Sequence, residues 1–135
     1  MNNLDPYVLT KERIGKGAFS TIYKGYNKLT NEVVAIKEIN YDNIKMVKTI
    51  TNEFEILKKL KHKNIIVLHE TYYDKENKNI FLVLEYYDLG DLSKFLNNKS
   101  LKESYTRKYM KQLSNGLEYL YNNKIIHRDL KPQNI

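Results

Sequence analysis

Alternating hydrophobic and polar positions dominate the first two thirds of the chain and predict β-strands. Residues 7–12 and 20–26 flank a glycine-containing turn, and residues 32–39, which are rich in β-branched side chains, predict a third strand. Residues 65–73 and 79–86 predict two further strands, separated by a polar turn. The pattern therefore predicts a five-stranded sheet whose first three strands form a meander.

Helical spacing replaces this alternation between the third and fourth predicted strands. Residues 52–61 place Ile56, Leu57 and Leu60 on one side of a helix. Glu53 lies one turn before them and is predicted to share the inward face of the helix. The sheet is therefore predicted to pack against a single helix that carries a carboxylate on its inner side.

A second helical region is predicted after Gly90, where the strand period of two gives way to the helix period of 3.6. A short helix comes first, and a longer one follows over residues 102–122. The apolar positions that carry this pattern are Leu92, Phe95, Leu96, Met110, Leu113, Leu117 and Leu120. Residues 85–90 are predicted as a hinge, and residues 125–135 as a short apolar strand that runs into a polar loop.

Composition narrows the classes of protein that this chain can be. It has 135 residues, a net charge of +7 and no cysteine, which excludes disulfides, thiolate metal sites and cysteine nucleophiles. Nucleic-acid binding is one interpretation of the charge. The positive residues are spread along the whole chain, however, and A/T-rich codons explain them more simply. Because it has no membrane-spanning apolar run and no secretory signal, the sequence predicts a soluble, intracellular and cytoplasmic protein.

The turn between the first two predicted strands contains Gly15, Gly17 and Ser20. Without a Cβ atom, glycine lets backbone N–H groups approach phosphate oxygens closely. An ordinary hairpin turn is an equally good interpretation of this segment alone, because Ser20 occupies a position where a further glycine is usual. The motifs that follow decide between the two.

Lys37 follows Val34, Ala35 and Ile36 in the third predicted strand. A lone lysine in a strand is usually solvated. Alternation places Ala35 and Lys37 on the same face, however, so the cation emerges beside a small residue that leaves room for a flat ligand. An inward lysine requires an anionic partner, and Glu53 is the natural candidate.

The polar loop at residues 127–134 is the most specific stretch of the sequence. Asp129 can accept a proton from an attacking hydroxyl, Lys131 can neutralise charge on a transferring phosphoryl group, and Asn134 can supply an oxygen to Mg²⁺. The alternative, a surface turn punctuated by Pro132, does not explain three complementary groups within six residues.

In order and spacing, the glycine turn, the lysine strand, the helix carboxylate and the polar loop resemble the protein kinases over nearly the whole chain. The resemblance implies an α+β fold. Residues 7–87 would form a kinase-like N-lobe, a five-stranded antiparallel sheet plus helix C, and residues 88–135 would form the first helices of an incomplete C-lobe.

Lys131 after Asp129 resembles the serine/threonine branch of the family, so the resemblance implies phosphorylation of Ser or Thr hydroxyls on protein substrates. The sequences of residues 85–92 and 131–135 are similar to those of autophagy-initiating and calcium/calmodulin-dependent kinases.

The resemblance also implies roles in binding ATP and Mg²⁺. Lys37 would hold the α- and β-phosphates and Glu53 would brace it. Leu84 would stand behind the adenine, the backbone of Glu85 and Tyr87 would hydrogen-bond its edge, and Asp91 would reach the ribose. The nucleotide-binding set that it implies is Ile14, Gly15, Lys16, Gly17, Ala18, Phe19, Ser20, Ile22, Ala35, Lys37, Leu84, Glu85, Tyr87 and Asp91. The catalytic set is Asp129, Lys131, Lys37 and Glu53, and the metal ligand is Asn134.

In the family, the pattern continues after the polar loop with an Asp-Phe-Gly segment that these 135 residues do not contain. Its aspartate anchors Mg²⁺, so we expect phosphoryl transfer by this chain to be impaired. The alternative is a non-catalytic module that binds a nucleotide or a partner, such as a complementing C-lobe polypeptide. No nucleic-acid or membrane partner is expected.

The apolar stripe of the predicted long helix also predicts self-association or binding to another polypeptide.

Overall fold

A computed structural model of the chain describes residues 4–17, 20–41, 44–97 and 99–135, and the side chains of residues 44–50 lie outside the description. The chain consists of two compact units. The first comprises Met1–Lys61 and Ile66–Tyr86, and the second comprises His62–Ile65 and Tyr87–Ile135. None of the helices in the described ranges combines the length and apolarity that a membrane span requires.

The first unit is a five-stranded sheet with one helix, α1, at Ile44–Lys59. Its strands are β1 Tyr7–Lys16, β2 Ser20–Asn27, β3 Val33–Asn40, β4 Leu68–Asp74 and β5 Asn79–Glu85. The strand order is β1-β2-β3-β5-β4, and every neighbouring pair is antiparallel. The predicted antiparallel sheet is thus confirmed. The helix begins earlier than predicted, and β4 begins at Leu68 rather than at residue 65.

Alternation along β3 gives the sheet two apolar faces. On one face, which we call the back face, Val34 and Ile36 are fully buried with Phe81 and Val83. On the other, the helix-side face, a second cluster joins Tyr41, Leu68, Ile80 and Leu82 to side chains of α1. Ala35 and Lys37 alternate with the back-face residues of β3 and therefore point to the helix-side face.

Close packing on the back face requires glycine at position 25. A Cβ on Gly25 would lie 2.5 Å from Ile36 Cδ1 and 2.7 Å from the carbonyl oxygen of Val8. One of these neighbours is backbone and cannot move aside without disturbing β1. The glycine therefore lets the strand lie directly over Ile36, the side chain next to Lys37 in β3.

Residues 4–6, which we call the N-terminal strap, cover part of the back face. Leu4 is only 6% exposed and packs with the back-face cluster. The backbone carbonyl of Asp5 accepts a hydrogen bond of 2.9 Å from Tyr72 Oη, and that of Pro6 accepts one of 2.9 Å from the N–H of Lys28. The Asp5 side chain also forms an ion pair with Lys28. The sequence pattern alone did not predict this strap.

The inner side of α1 differs from the predicted one. Phe54 and Leu57 pack against the helix-side cluster, whereas Ile56 is 47% exposed and Glu53 is exposed. Ile56 lies about 200° around the helix from Phe54, so the two cannot both face the sheet. The prediction that Ile56 shares the inward face was therefore wrong, and Glu53, one turn before Leu57, is exposed rather than turned inward.

The second unit contains α2 at Leu92–Leu96, α3 at Glu103–Asn122 and a short 3-10 helix at Pro132–Asn134. The predicted strand at the start of residues 125–135 was wrong. The N–H of Ile125 instead donates to the carbonyl of Leu120, 2.9 Å away, at the end of α3.

Residues 62–65 belong to this second unit although α1 and β4 flank them in sequence. The His62 ring stacks on Tyr119 of α3, with centroids 4.9 Å apart and planes at 26°. A Cβ on Gly116 would lie 3.2 Å from the carbonyl oxygen of Asn64, so the absence of a side chain lets this segment approach the helix closely. The contact was not predictable from the sequence pattern, because it joins distant positions.

The apolar side chains of α3 divide between two directions. Leu120 is buried and Leu113 half-buried, whereas Met110 is 57% and Leu117 36% exposed. Tyr121, 80% exposed, lies on the same side as Met110 and Leu117 at helical spacing. We call Met110, Leu117 and Tyr121 the exposed stripe.

Candidate functional site

The helix-side face of the sheet brings together several residues that the sequence predicted to bind nucleotide. Ile22 of β2 is the register partner of Lys37 of β3, so their side chains lie side by side. In the next row, Ala35 pairs with Lys24 on one side and with Leu84 on the other. The small Ala35 thus lies between larger side chains, where it leaves space above the sheet.

The glycine turn between β1 and β2 is closed by a short hydrogen bond. The N–H of Gly17 donates to the carbonyl of Ser20 at 2.7 Å, and a Cβ on Gly17 would lie 2.9 Å from Ser20 Oγ. Gly15 pairs with Ile22, and a Cβ there would lie 3.3 Å from Ile22 Cδ1. Larger residues would crowd both positions.

The other predicted members of this turn are only partly described. Ile14 is half-buried and Lys16 is exposed. Ala18 and Phe19 lie outside the described residues. Their contact with a nucleotide stays a prediction.

Lys37 is a half-buried cation, and burial lowers the pKa of its ammonium group. Within the described ranges it forms no ion pair, and the predicted partner Glu53 is exposed on α1. The structure therefore does not bring Lys37 and Glu53 together, and their pairing stays a prediction. An opposite charge near a partly desolvated ammonium group would favour its charged form.

The polar loop of the second unit brings its three predicted groups together. Lys131 Nζ lies 2.8 Å from Asp129 Oδ2, and Asn134 Nδ2 donates to the same oxygen at 2.9 Å. Asn134 Nδ2 also donates to the carbonyl of Asp129 at 2.8 Å. The hydrogen bond from Lys131, followed by that from Asn134, lowers the pKa of Asp129. This carboxylate is therefore ionised at neutral pH and can accept a proton.

Local backbone geometry builds this loop. Arg128 adopts a left-handed conformation with φ 66°, and the N–H of Asp129 donates to His127 Nδ1 at 3.3 Å. Pro132 starts the 3-10 helix, whose turn is closed by the N–H of Asn134 donating to the carbonyl of Lys131 at 2.8 Å. These bonds fix the orientation of the three side chains.

Contacts between the loop and α2 were not foreseen from the sequence. The N–H of Leu92 donates to the carbonyl of Ile135 at 2.6 Å, and Gln133 Nε2 donates to Ser93 Oγ at 3.4 Å. Only the fold shows this contact, because it joins residues 40 positions apart.

Three predicted binding residues lie near the end of β5 and the start of α2. The N–H of Glu85 donates to the carbonyl of Val67 at 3.0 Å, and Tyr87 is 54% exposed. Asp91 is the N-cap of α2 and accepts a hydrogen bond of 2.9 Å from the N–H of Lys94. Their roles towards adenine and ribose stay predictions.

Sequence reasoning missed one cation on the helix-side face. Lys24 Nζ lies 5.3 Å from the centroid of the Tyr86 ring and 3.8 Å from Glu12 Oε2. Strand alternation could have placed Lys24 on the face of Ala35. Its reach to Tyr86 required the strand order.

The chain belongs to the protein kinase family, because the model of the protein kinase domain matches residues 8–135. The relatives that it matches include serine/threonine-protein kinases. The atg1 serine/threonine-protein kinase of Dictyostelium discoideum is 39% identical over 142 residues, covering 100% of this chain and 21% of the relative. The ULK3 serine/threonine-protein kinase of Rattus norvegicus is 42% identical over 136 residues, covering 98% of this chain and 28% of the relative.

Among solved structures, the chain is similar to Rad53 residues 1–466 in complex with AMP-PNP. The TM-score is 0.86 at 30% sequence identity, over 99% of this chain and 35% of the Rad53 chain. The described residues therefore share the fold of the matched part of this kinase structure. The chain spans 21% and 28% of the length of the atg1 and ULK3 relatives.

The residues that are present fit ATP with a divalent cation. Asn134 donates both of its described side-chain hydrogen bonds through Nδ2, and its Oδ1 is an oxygen ligand of the kind that Mg²⁺ prefers. The described residues contain no group of three His, Cys, Asp or Glu side chains that could hold a metal ion.

Proposed function

We propose that this chain takes part in ATP-dependent phosphorylation of Ser or Thr hydroxyls on proteins, in an intracellular setting. The observation that carries the proposal is that Lys131 and Asn134 both contact Oδ2 of Asp129. It supplies a base, a cation and a metal ligand in a single loop, which are the groups that phosphoryl transfer requires.

In the proposed reaction, Asp129 accepts the proton of the substrate hydroxyl. The hydroxyl oxygen forms a bond to the γ-phosphorus, and the bond from that phosphorus to the β,γ-bridging oxygen breaks, so that ADP leaves. Lys131, held 2.8 Å from Asp129, would also neutralise charge on the transferring group. Mg²⁺, when bound, would stabilise negative charge on the phosphates.

On the sheet, Lys37 would bind the α- and β-phosphates. The proposal is supported by its half-burial and its lowered pKa, because an anion would compensate a charge that the fold leaves partly desolvated. Ile22, Ala35 and Leu84 share its face and would contact the base. Gly15 and Gly17 would let the backbone approach the phosphates.

A second candidate is nucleotide binding without turnover. The exposure of Glu53 favours it, because Lys37 then lacks the carboxylate that would fix its tip towards the phosphates. We further propose that turnover by residues 1–135 alone is impaired. A complementing polypeptide with the remaining kinase helices and a metal-binding carboxylate would then restore it.

The two candidates are separated by measuring binding and transfer on the same protein. The chain is mixed with Mg-ATP labelled at the γ-phosphate and a generic Ser/Thr protein substrate, and ATP affinity is measured by calorimetry. We expect Lys37→Met to weaken ATP binding by about 30-fold or more, since a desolvated charge partner is lost. Asp129→Asn should leave ATP binding unchanged and remove whatever transfer the wild type shows.

The outcomes assign the function. Transfer by the wild type that Asp129→Asn removes supports the kinase reaction, and binding without transfer supports the second candidate. Transfer that survives in Asp129→Asn contradicts the mechanism. ATP affinity that is the same in Lys37→Met and in the wild type contradicts both.

A further inference from the structure

Lys24 connects three parts of the first unit. Its ammonium group lies 5.3 Å from the centroid of the Tyr86 ring and 3.8 Å from Glu12 Oε2. Its side chain is 34% exposed, so water screens these interactions only in part. Glu12 belongs to β1 and Lys24 to β2, whereas Tyr86 follows the last residue of β5. The proposed phosphoryl transfer uses none of these three side chains.

The strand order makes this contact unusual, because β3 separates β2 from β5. Lys24 and Leu84 are both register partners of Ala35, so the three side chains form one row across the sheet. A larger residue at the middle position would fill the space above the sheet. The methyl group of Ala35 leaves the lysine room to extend along the face towards Tyr86.

Main-chain bonds hold the end of β5 next to Tyr86 in the sheet. Glu85 pairs with Val34 of β3, and its N–H donates to the carbonyl of Val67 at 3.0 Å. Beyond Glu85 the strand ends, and the ammonium group of Lys24 over the Tyr86 ring restrains the first residue after it.

We propose that Lys24 is a positioning residue for nucleotide binding: by holding the Tyr86 ring, it fixes the end of β5 where Glu85 would contact the base of ATP. This inference rests on the proposed function for the identity of the ligand. A cation over an aromatic ring contributes modestly, so its loss should change local opening or affinity by about 2- to 5-fold. Arginine, which also lies over aromatic rings, should replace lysine here.

The first experiment needs no ligand. Amide hydrogen exchange of Glu85 is measured in the wild type, Lys24→Met, Lys24→Arg and Tyr86→Leu, with Lys11→Met as the matched control on exposed β1. We expect Lys24→Met to speed exchange at Glu85 by about 2- to 5-fold and Lys24→Arg to match the wild type. Lys24→Met should have no further effect in a Tyr86→Leu background.

Two exchange results would overturn the proposal. One is exchange at Glu85 that is the same in Lys24→Met and in Lys11→Met. The other is full additivity of Lys24→Met and Tyr86→Leu, which would show that the two side chains act separately.

The second experiment compares ATP with inorganic tripolyphosphate, which has the charge but no base. Positioning of the base-contacting strand predicts that Lys24→Met weakens ATP binding by about 2- to 5-fold and leaves tripolyphosphate binding unchanged. Equal weakening of both ligands would instead show that Lys24 acts on phosphate by charge, and would overturn the proposal.

Failure of the proposed function has a different signature. If Lys37→Met leaves the binding of both ligands unchanged, the phosphate site is wrong, whatever Lys24 does. The exchange at Glu85 without ligand still decides whether Lys24 holds this strand end.

Discussion

Asp129 is kept in its ionised form by side chains of its own loop. Lys131 and Asn134 both bond to its Oδ2, and together they hold its pKa below the ordinary value of 3.8. A carboxylate whose pKa is lower in the folded state than in the unfolded state stabilises the fold at pH values above its unfolded-state pKa. That contribution disappears as the pH falls through the folded-state pKa, which lies below 3.8.

Removal of the lysine should therefore raise the pKa of Asp129. In Lys131→Met, we expect the titration midpoint of the Asp129 carboxyl carbon, followed by ¹³C NMR, to move up towards 3.8. Lys111→Met, which removes an exposed charge on α3, is the matched control. A midpoint that shifts equally in both variants would show that net charge, and not the bond at 2.8 Å, sets the pKa.

At the scale of elements, the N-terminal strap and β3 support each other. Leu4 packs against Val34 and Ile36, the back-face residues that alternate with Ala35 and Lys37. The strap therefore covers the reverse side of the strand that carries the proposed phosphate-binding lysine. Its hydrogen bonds to Tyr72 and Lys28 keep the leucine in place near the chain terminus.

Truncation of this leucine should destabilise the sheet. We expect Leu4→Ala to lower the free energy of unfolding by about 2–3 kcal/mol, because it removes a nearly fully buried side chain and leaves a cavity. Urea unfolding followed by circular dichroism measures the change. Leu29→Ala, at a side chain that is 75% exposed, should stay within about 0.5 kcal/mol of the wild type. Equal stability of both variants would contradict the burial of Leu4.

At the scale of the whole molecule, the exposed stripe on α3 is the clearest apolar surface of the second unit. Met110, Leu117 and Tyr121 are 57%, 36% and 80% exposed on one side of the helix. Contiguous exposed apolar side chains favour association. The positive net charge of +7 opposes it at low salt.

We therefore expect the 135-residue chain to self-associate at high salt, where charge repulsion is screened. Light scattering after size-exclusion chromatography should show a larger species that Met110→Lys combined with Tyr121→Lys reduces several-fold. Gln112→Lys adds a charge on the opposite side of α3 and should leave the species unchanged. A wild-type chain that stays monomeric at every salt concentration would contradict this expectation.

Local features of this protein were predictable from the sequence. Alternation predicted the five strands and placed Ala35 and Lys37 on one face, because side-chain direction in a strand depends only on position. The polar loop was predictable for a similar reason. The bonds of Asp129 to Lys131 and Asn134 span at most five positions, so chain geometry alone brings these groups close.

The tertiary structure decided which side of α1 faces the sheet and which residues distant in sequence are in contact. Phe54, and not Ile56, faces the sheet, because a helix turns its bulkiest apolar side towards the available core. The placement of β5 between β3 and β4 brings Tyr86 within reach of Lys24, and the back face buries Leu4. Such contacts join residues that are far apart in sequence, and burial of apolar surface in the folded chain selects them.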